Sequence, residues 1–226
     1  MSDAYTDNPP LRPGDLLFGP IGGVVPGLLP VGIGQLALFL TRRWWRFVRS
    51  PRRWFHIRHV AVIARNPSTG APTVIQAMPS GCEEIPFDLA KHFTPGHVFI
   101  RPDYAGPFPS PVWPADVVVC ARRYVGVPYG FLTYLKLAAG ALRMRLTEAW
   151  LRKLISTRRD MMCSQHVDQS LADAGYHVFS DGRLPQDVVP AELYDALMGS
   201  PGWFMIPGHA EFGQWTRIDT HSPDHA

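Results

Sequence analysis

Three cysteines, Cys82, Cys120 and Cys163, and nine histidines are the residues of this 226-residue chain that can supply a nucleophile and a base. Three thiols make neither a disulfide framework nor a cysteine-rich zinc site. The histidines show no metal-ligand spacing, so no metal and no other cofactor is expected. Cys163 has a setting that activates a thiol. It follows the charged, irregular stretch Arg158-Arg159-Asp160 and stands at or next to the start of an amphipathic helix predicted over 163–174. The positive end of the helix dipole favours thiolate over thiol there, and first-turn N–H groups can receive an oxyanion. A small buried hydrophobe is the commoner fate of a free cysteine. That fate is expected of Cys120, among Val117, Val118 and Val119. Cys82 reads as part of a polar turn beside Glu83 and Glu84, and neighbouring carboxylates raise a thiol's pKa, which makes it a poor nucleophile.

A thiolate needs a base, and the base needs a group that orients it. His59 opens the apolar run His59-Val60-Ala61-Val62-Ile63-Ala64, where an imidazole can project from the edge of a core. His56 and His166 are rivals, the latter one helical turn after Cys163. Gln76 is polar inside the run Thr73-Val74-Ile75-Gln76-Ala77 and can accept from or donate to an imidazole; a solvated strand face is the plainer alternative.

The elements that must position these groups follow from pattern. After a loose tail (1–13), Gly14-Asp15 turns into a short strand at Leu16-Leu17-Phe18. A Gly/Pro loop then leads to a helix over 32–49 whose last turns carry Arg42, Arg43, Arg46 and Arg49. The runs at 59–64 and 73–77 flank a turn rich in Pro, Ser and Gly and predict a hairpin. Short strands are expected at 84–87, 96–101 and 202–206. Helices are expected at 115–125, 131–157 with a kink at Gly140, 163–174 closed by Gly175, and from Pro190. Mixed strands and helices predict an α+β domain over 14–206, in which a small antiparallel sheet packs against helices, with a C-terminal tail over 207–226.

Composition narrows the function classes. At 46% hydrophobic residues the chain can bury a real core, which excludes a disordered protein, and a net charge of +3 makes a polycation that coats nucleic acid an unattractive reading. No charge occurs from Leu16 to Thr41, but glycines and prolines interrupt most of that run, and a loop leading into a helix is expected rather than a membrane span. The first ten residues are polar and acidic and lack the plan of a secretory signal, so the protein is expected to be cytoplasmic as made or carried in a virion, with peripheral membrane contact left open. All but three of the 22 basic residues are arginines, and seven lie between Arg42 and Arg58 together with Trp44, Trp45 and Trp54. Arginine forks and stacks while tryptophan tolerates a half-wet site, so the stretch suits a docking partner or an anionic envelope polymer.

Four segments resemble the NlpC-type papain-fold cysteine peptidases: Gly14-Asp15-Leu16-Leu17-Phe18, His59-Val60-Ala61-Val62-Ile63, Gly126-Val127-Pro128-Tyr129-Gly130, and Cys163-Ser164 at a helix start. Their order is rotated relative to the usual members, which is similar to the circularly permuted branch that includes lecithin–retinol acyltransferase-like proteins. The resemblance spans roughly residues 12–206. It implies a permuted papain-like fold with Cys163 as nucleophile, His59 as general base and Gln76 as third, orienting residue. It also implies that Tyr129 and Ser164 lie beside the nucleophile and serve substrate or oxyanion. A Glu often stands in that branch where this chain has Gln76.

Three functions are compatible with these readings. The first is a cysteine peptidase or amidase acting on peptidoglycan stem peptides or similar amides, delivered by a phage particle or by lysis. The second is a lipid-directed thiol acyltransferase or esterase, favoured by the apolar 16–41 run and the long 131–157 helix. The third is a non-enzymatic structural or binding module such as a phage tail subunit.

Overall fold

The computed structural model describes residues 11–20, 57–87, 97–102, 114–130, 132–133, 135–136, 139, 144–156, 160–200 and 202–206. The helix expected over 32–49 with its arginines, His56, and the 207–226 tail lie outside the described residues.

Strands β1 (Leu16–Gly19), β2 (His59–Arg65), β3 (Pro72–Met78), β4 (Gly81–Pro86), β5 (Val98–Pro102) and β6 (Trp203–Met205) form one sheet in the order β4-β3-β2-β1-β5-β6. All its pairings are antiparallel. The described elements also include four α-helices, α1 (Pro114–Arg122), α2 (Arg145–Ser156), α3 (Cys163–Asp173) and α4 (Pro190–Gly199), and a short 3-10 helix, Pro185–Asp187. The protein is therefore α+β, and the predicted hairpin is β2–β3. Strand β4 begins earlier than expected, at Gly81, and Cys82 is buried in it rather than sitting in a polar turn.

Alternation along the strands sends side chains to two cores. On one face Leu16, Phe18, Val60, Val62, Ile75, Ala77 and Cys82 pack with residues of α1, α3 and α4. On the other, Leu17, Ala61, Ile63, Val74 and Phe99 pack with Leu11, Ile206 and Phe87. Residues 59–64 are buried on both faces, which is why β2 reads as an almost unbroken apolar run. Leu11 was expected at the end of a loose tail. It is buried, and the Arg12 N–H donates to Asp15 Oδ2 at 2.7 Å, so ordered chain reaches back at least to residue 11.

Helix α3 packs against β2 and β3 as well as α1 and α4. Its buried side chains include Cys163, Val167 and Leu171, four residues apart, which form the stripe that lies on the sheet. The helix ends as expected: Gly175 takes φ 91° and Tyr176 N–H donates to Leu171 O at 2.8 Å, a left-handed closure that suits glycine.

Candidate active site

His59, the first residue of β2, and Gln76 on β3 are brought together: the imidazole Nε2 lies 3.1 Å from Gln76 Oε1, and both residues are buried. The contact follows from register. Ala61 is the partner of Gln76, so His59 and Gln76 lie diagonally on the same face of adjacent strands. Gln76 is in turn the direct partner of Glu83 on β4, and its Nε2 donates to Glu83 Oε1 at 3.1 Å. A carboxylate at position 76 would face Glu83 as a like charge. A carboxamide can accept from an imidazole and donate to a carboxylate at once.

Cys163 is the first residue of α3 and is completely buried. The N-cap position is Met162, whose thioether is at best a weak acceptor, so the first-turn amides lack the oxygen that Ser, Thr or Asp would offer them. Gln165 reaches back the other way, its Oε1 accepting from the Met162 N–H at 3.4 Å. The loop Gly126–Gly130 sets the approach to this helix start. On one side Cys82 N–H donates to Val127 O and Gly126 N–H to Cys82 O, both at 2.7 Å. On the other, Met161 N–H donates to Pro128 O at 2.9 Å and Gly130 N–H to Met161 O at 3.0 Å, pairing Tyr129 with Met161 two residues before Cys163. A side chain at 130 would press on the Met161 backbone at 3.3 Å, so glycine allows this close approach.

Strand register and packing assign the candidate base and the candidate nucleophile to different groups of side chains. His59, Gln76 and Glu83 share the face of Ala61 and Val74, whereas Cys163 packs in the cluster on the other face with Val60, Val62, Ala77 and Cys82. His59 is the terminal residue of β2, and its partner on β1 is Gly19.

The other candidates are resolved differently. Ser164 is fully buried and its hydroxyl donates to Val188 O at 2.7 Å, so it anchors the helix start to the segment before α4, and only its backbone N–H remains for an oxyanion. His166, the rival base, is buried against α1 with Nε2 3.1 Å from Ala121 O and its ring edge-on to Tyr124; burial lowers its pKa and holds it neutral. Cys120 is core, as expected. The Cys82 thiol is pushed up to about 12, first by burial, then by Cys163 and by Glu83. Burial, more than the carboxylates, makes it a poor nucleophile.

His97 was missed by sequence reasoning. It is buried just before β5, and its ring fills the space over Gly19, where a Cβ would stand 2.2 Å from His97 Cδ2. Since Gly19 is the partner of His59, the two histidines flank one glycine. The only sequence signal was a glycine ending a strand. Among the described residues no three of His, Cys, Asp or Glu gather as a metal-holding group, and no helix is long and apolar enough to cross a membrane.

No protein-family model matches this chain, and no curated protein is significantly similar to it. The functional reading therefore stands on the site itself.

Proposed function

We propose that the protein is a cysteine hydrolase of the permuted NlpC type, with Cys163 as nucleophile, His59 as base and Gln76 as orienting residue. The observation that carries the proposal is the His59–Gln76 hydrogen bond on the two strands against which the Cys163 helix packs. In the reaction, His59 takes the Cys163 proton and the thiolate sulfur bonds to an amide carbonyl carbon. The developing oxyanion is received by first-turn N–H groups of α3. The imidazolium returns its proton to the leaving nitrogen as the C–N bond breaks, leaving a thioester. Water, deprotonated by His59, attacks that thioester; the acid leaves and the thiol is restored. Tyr129, held beside the helix start, lines the approach of the substrate.

The substrate class proposed first is a peptidoglycan stem peptide or similar amide, reached from a phage particle or on lysis. A second reading, a lipid-directed acyltransferase or esterase, is favoured by one observation: Cys163 is fully buried in an apolar cluster, a setting suited to an acyl chain. The test is turnover of both substrate classes with thioester trapping by mass spectrometry. Cys163→Ala abolishes turnover and the trapped adduct and leaves the fold intact; unchanged turnover in that variant rejects the enzyme. If neither substrate class is turned over and Cys163 traps no acyl group, the chain is a binding or structural module.

We also propose that the arginine- and tryptophan-rich stretch from Arg42 docks a partner protein or an anionic envelope polymer. Changing Arg42, Arg43, Arg46 and Arg49 to Gln should remove envelope or partner binding and spare turnover of soluble substrate. Unchanged binding rejects the docking role.

A further inference from the structure

We infer that Glu83 is a positioning residue for His59: acting through Gln76, it selects which imidazole nitrogen carries the proton. The inference rests on the cysteine-hydrolase reading of the site and adds to it a residue outside the nucleophile, base and orienter already named.

The argument begins with the two ends of an amide, which differ little in shape and greatly in hydrogen bonding. An ionised carboxylate only accepts, so the end of Gln76 that faces Glu83 must be its NH2 group, as observed at 3.1 Å. The other end, Oε1, is thereby turned towards His59 and can only accept. The hydrogen in that bond must come from the ring, so His59 carries its proton on Nε2. A neutral imidazole has one N–H, and Nδ1 is then the nitrogen whose lone pair can take a thiol proton. Once it does so, the ring is positive, and the charge of Glu83 lies one amide away. Gln76 has no charge with which to support an imidazolium.

Register makes this arrangement specific. Gln76 and Glu83 are direct cross-strand partners, and Ser80 Oγ donates to the second Glu83 oxygen at 3.4 Å. Glu84, the next residue, points to the opposite face, where Arg122 and Thr73 hold it. Without Glu83 the amide can turn over, offering NH2 to Nε2, and the ring proton moves to Nδ1. That tautomer is useless to the thiol.

The experiment reads the ring directly, by nitrogen-15 NMR of the His59 side chain in the full-length protein near pH 8, where an ordinary histidine is neutral, with His59→Gln to assign the signal. The intact protein should show the proton on Nε2. Glu83→Ala should move it to Nδ1 in most molecules and lower kcat/KM by about tenfold to a hundredfold, in keeping with the loss of a supporting hydrogen bond behind an active group. Glu83→Gln, which keeps an acceptor for Gln76, should retain the Nε2 proton and lose only the charge. Should the alanine variant fail to fold, Glu83→Leu fills the strand position without an acceptor and gives the same reading. An Nε2 proton that stays in place without Glu83, beside turnover that still needs Cys163, overturns the role of Glu83 alone. Turnover that survives Cys163→Ala overturns the enzyme, and the role of Glu83 with it, whatever the tautomer.

Discussion

Two sets of buried and half-buried polar side chains lie on the same face of the sheet, at opposite ends of its central strands. At one end Arg101 of β5 grips Asp15, just before β1: Nε donates to Oδ1 at 2.8 Å and Nη2 to Oδ2 at 2.7 Å, with both residues almost wholly buried. At the other end His59, Gln76 and Glu83 are joined across β2, β3 and β4 by single bonds of 3.1 Å through a neutral amide. The first is bidentate, ionic and fully used, so nothing in it can move a proton without leaving a buried charge alone. The second joins an imidazole to a carboxamide and runs out to strand β4. The first locks β1 to β5; the second orients a base. Asp15 thus has a structural role, tying the start of β1 to β5.

The contrast can be broken most forcefully at Asp15. Asp15→Ala leaves the Arg101 guanidinium buried without its carboxylate and should cost about 3–5 kcal/mol of unfolding free energy. Turnover per folded molecule should be unchanged. Urea titration followed by fluorescence, with activity normalised to the folded fraction, checks both; a stability loss under about 1 kcal/mol would show that the pair is no lock.

A second buried carboxylate sharpens the comparison because it has no such grip. Asp168 on α3 is raised from 3.8 to about 6, mainly by burial, with Arg183 and His177 opposing the shift. A carboxyl raised in the folded state binds its proton more tightly there than in the unfolded chain. Its effect is therefore to reduce stability as pH rises between about 4 and 6, and the loss is complete above that window. Asp168→Asn removes this titration. At pH 7 it should stabilise the protein by about 1–3 kcal/mol, and the gain should vanish towards pH 4. Thermal melts across that range decide the matter, since a gain independent of pH would exclude the carboxylate as its source.

The smallest expected effect is at Gln76. Gln76→Glu places a carboxylate opposite Glu83 and should cost about 1 kcal/mol at pH 7, near the upper end for like charges facing across strands. Stability should recover as the pH falls and one of the two carboxyls is protonated. If the variant is as stable as the parent at pH 7 in low-salt melts, the amide is not needed to separate the imidazole from Glu83.

Much of this molecule was written locally. The apolar runs and turn residues of 59–78 determined the hairpin, and the apolar spacing of 163–171 with Gly175 determined helix α3; Cys163, His59 and Gln76 were candidates by placement, with His56 and His166 as rival bases, and only the family resemblance implied their roles. The edges of elements were less legible. Cys82 read as part of a turn because Gly81, Glu83 and Glu84 are polar or small, whereas pairing with β3 draws it into the core. Ser164 read as part of the site, whereas its hydroxyl is taken up by Val188 O. Only the tertiary structure decided that Glu83 stands behind Gln76, that His97 fills the space over Gly19, and that His166 faces α1 rather than a thiol. The reason is physical. Strand and helix patterns record which side chains are buried along one element, a property of neighbours in sequence. Cross-strand partners and helix-to-sheet contacts depend on register between distant segments, which is set when the whole apolar surface is buried at once.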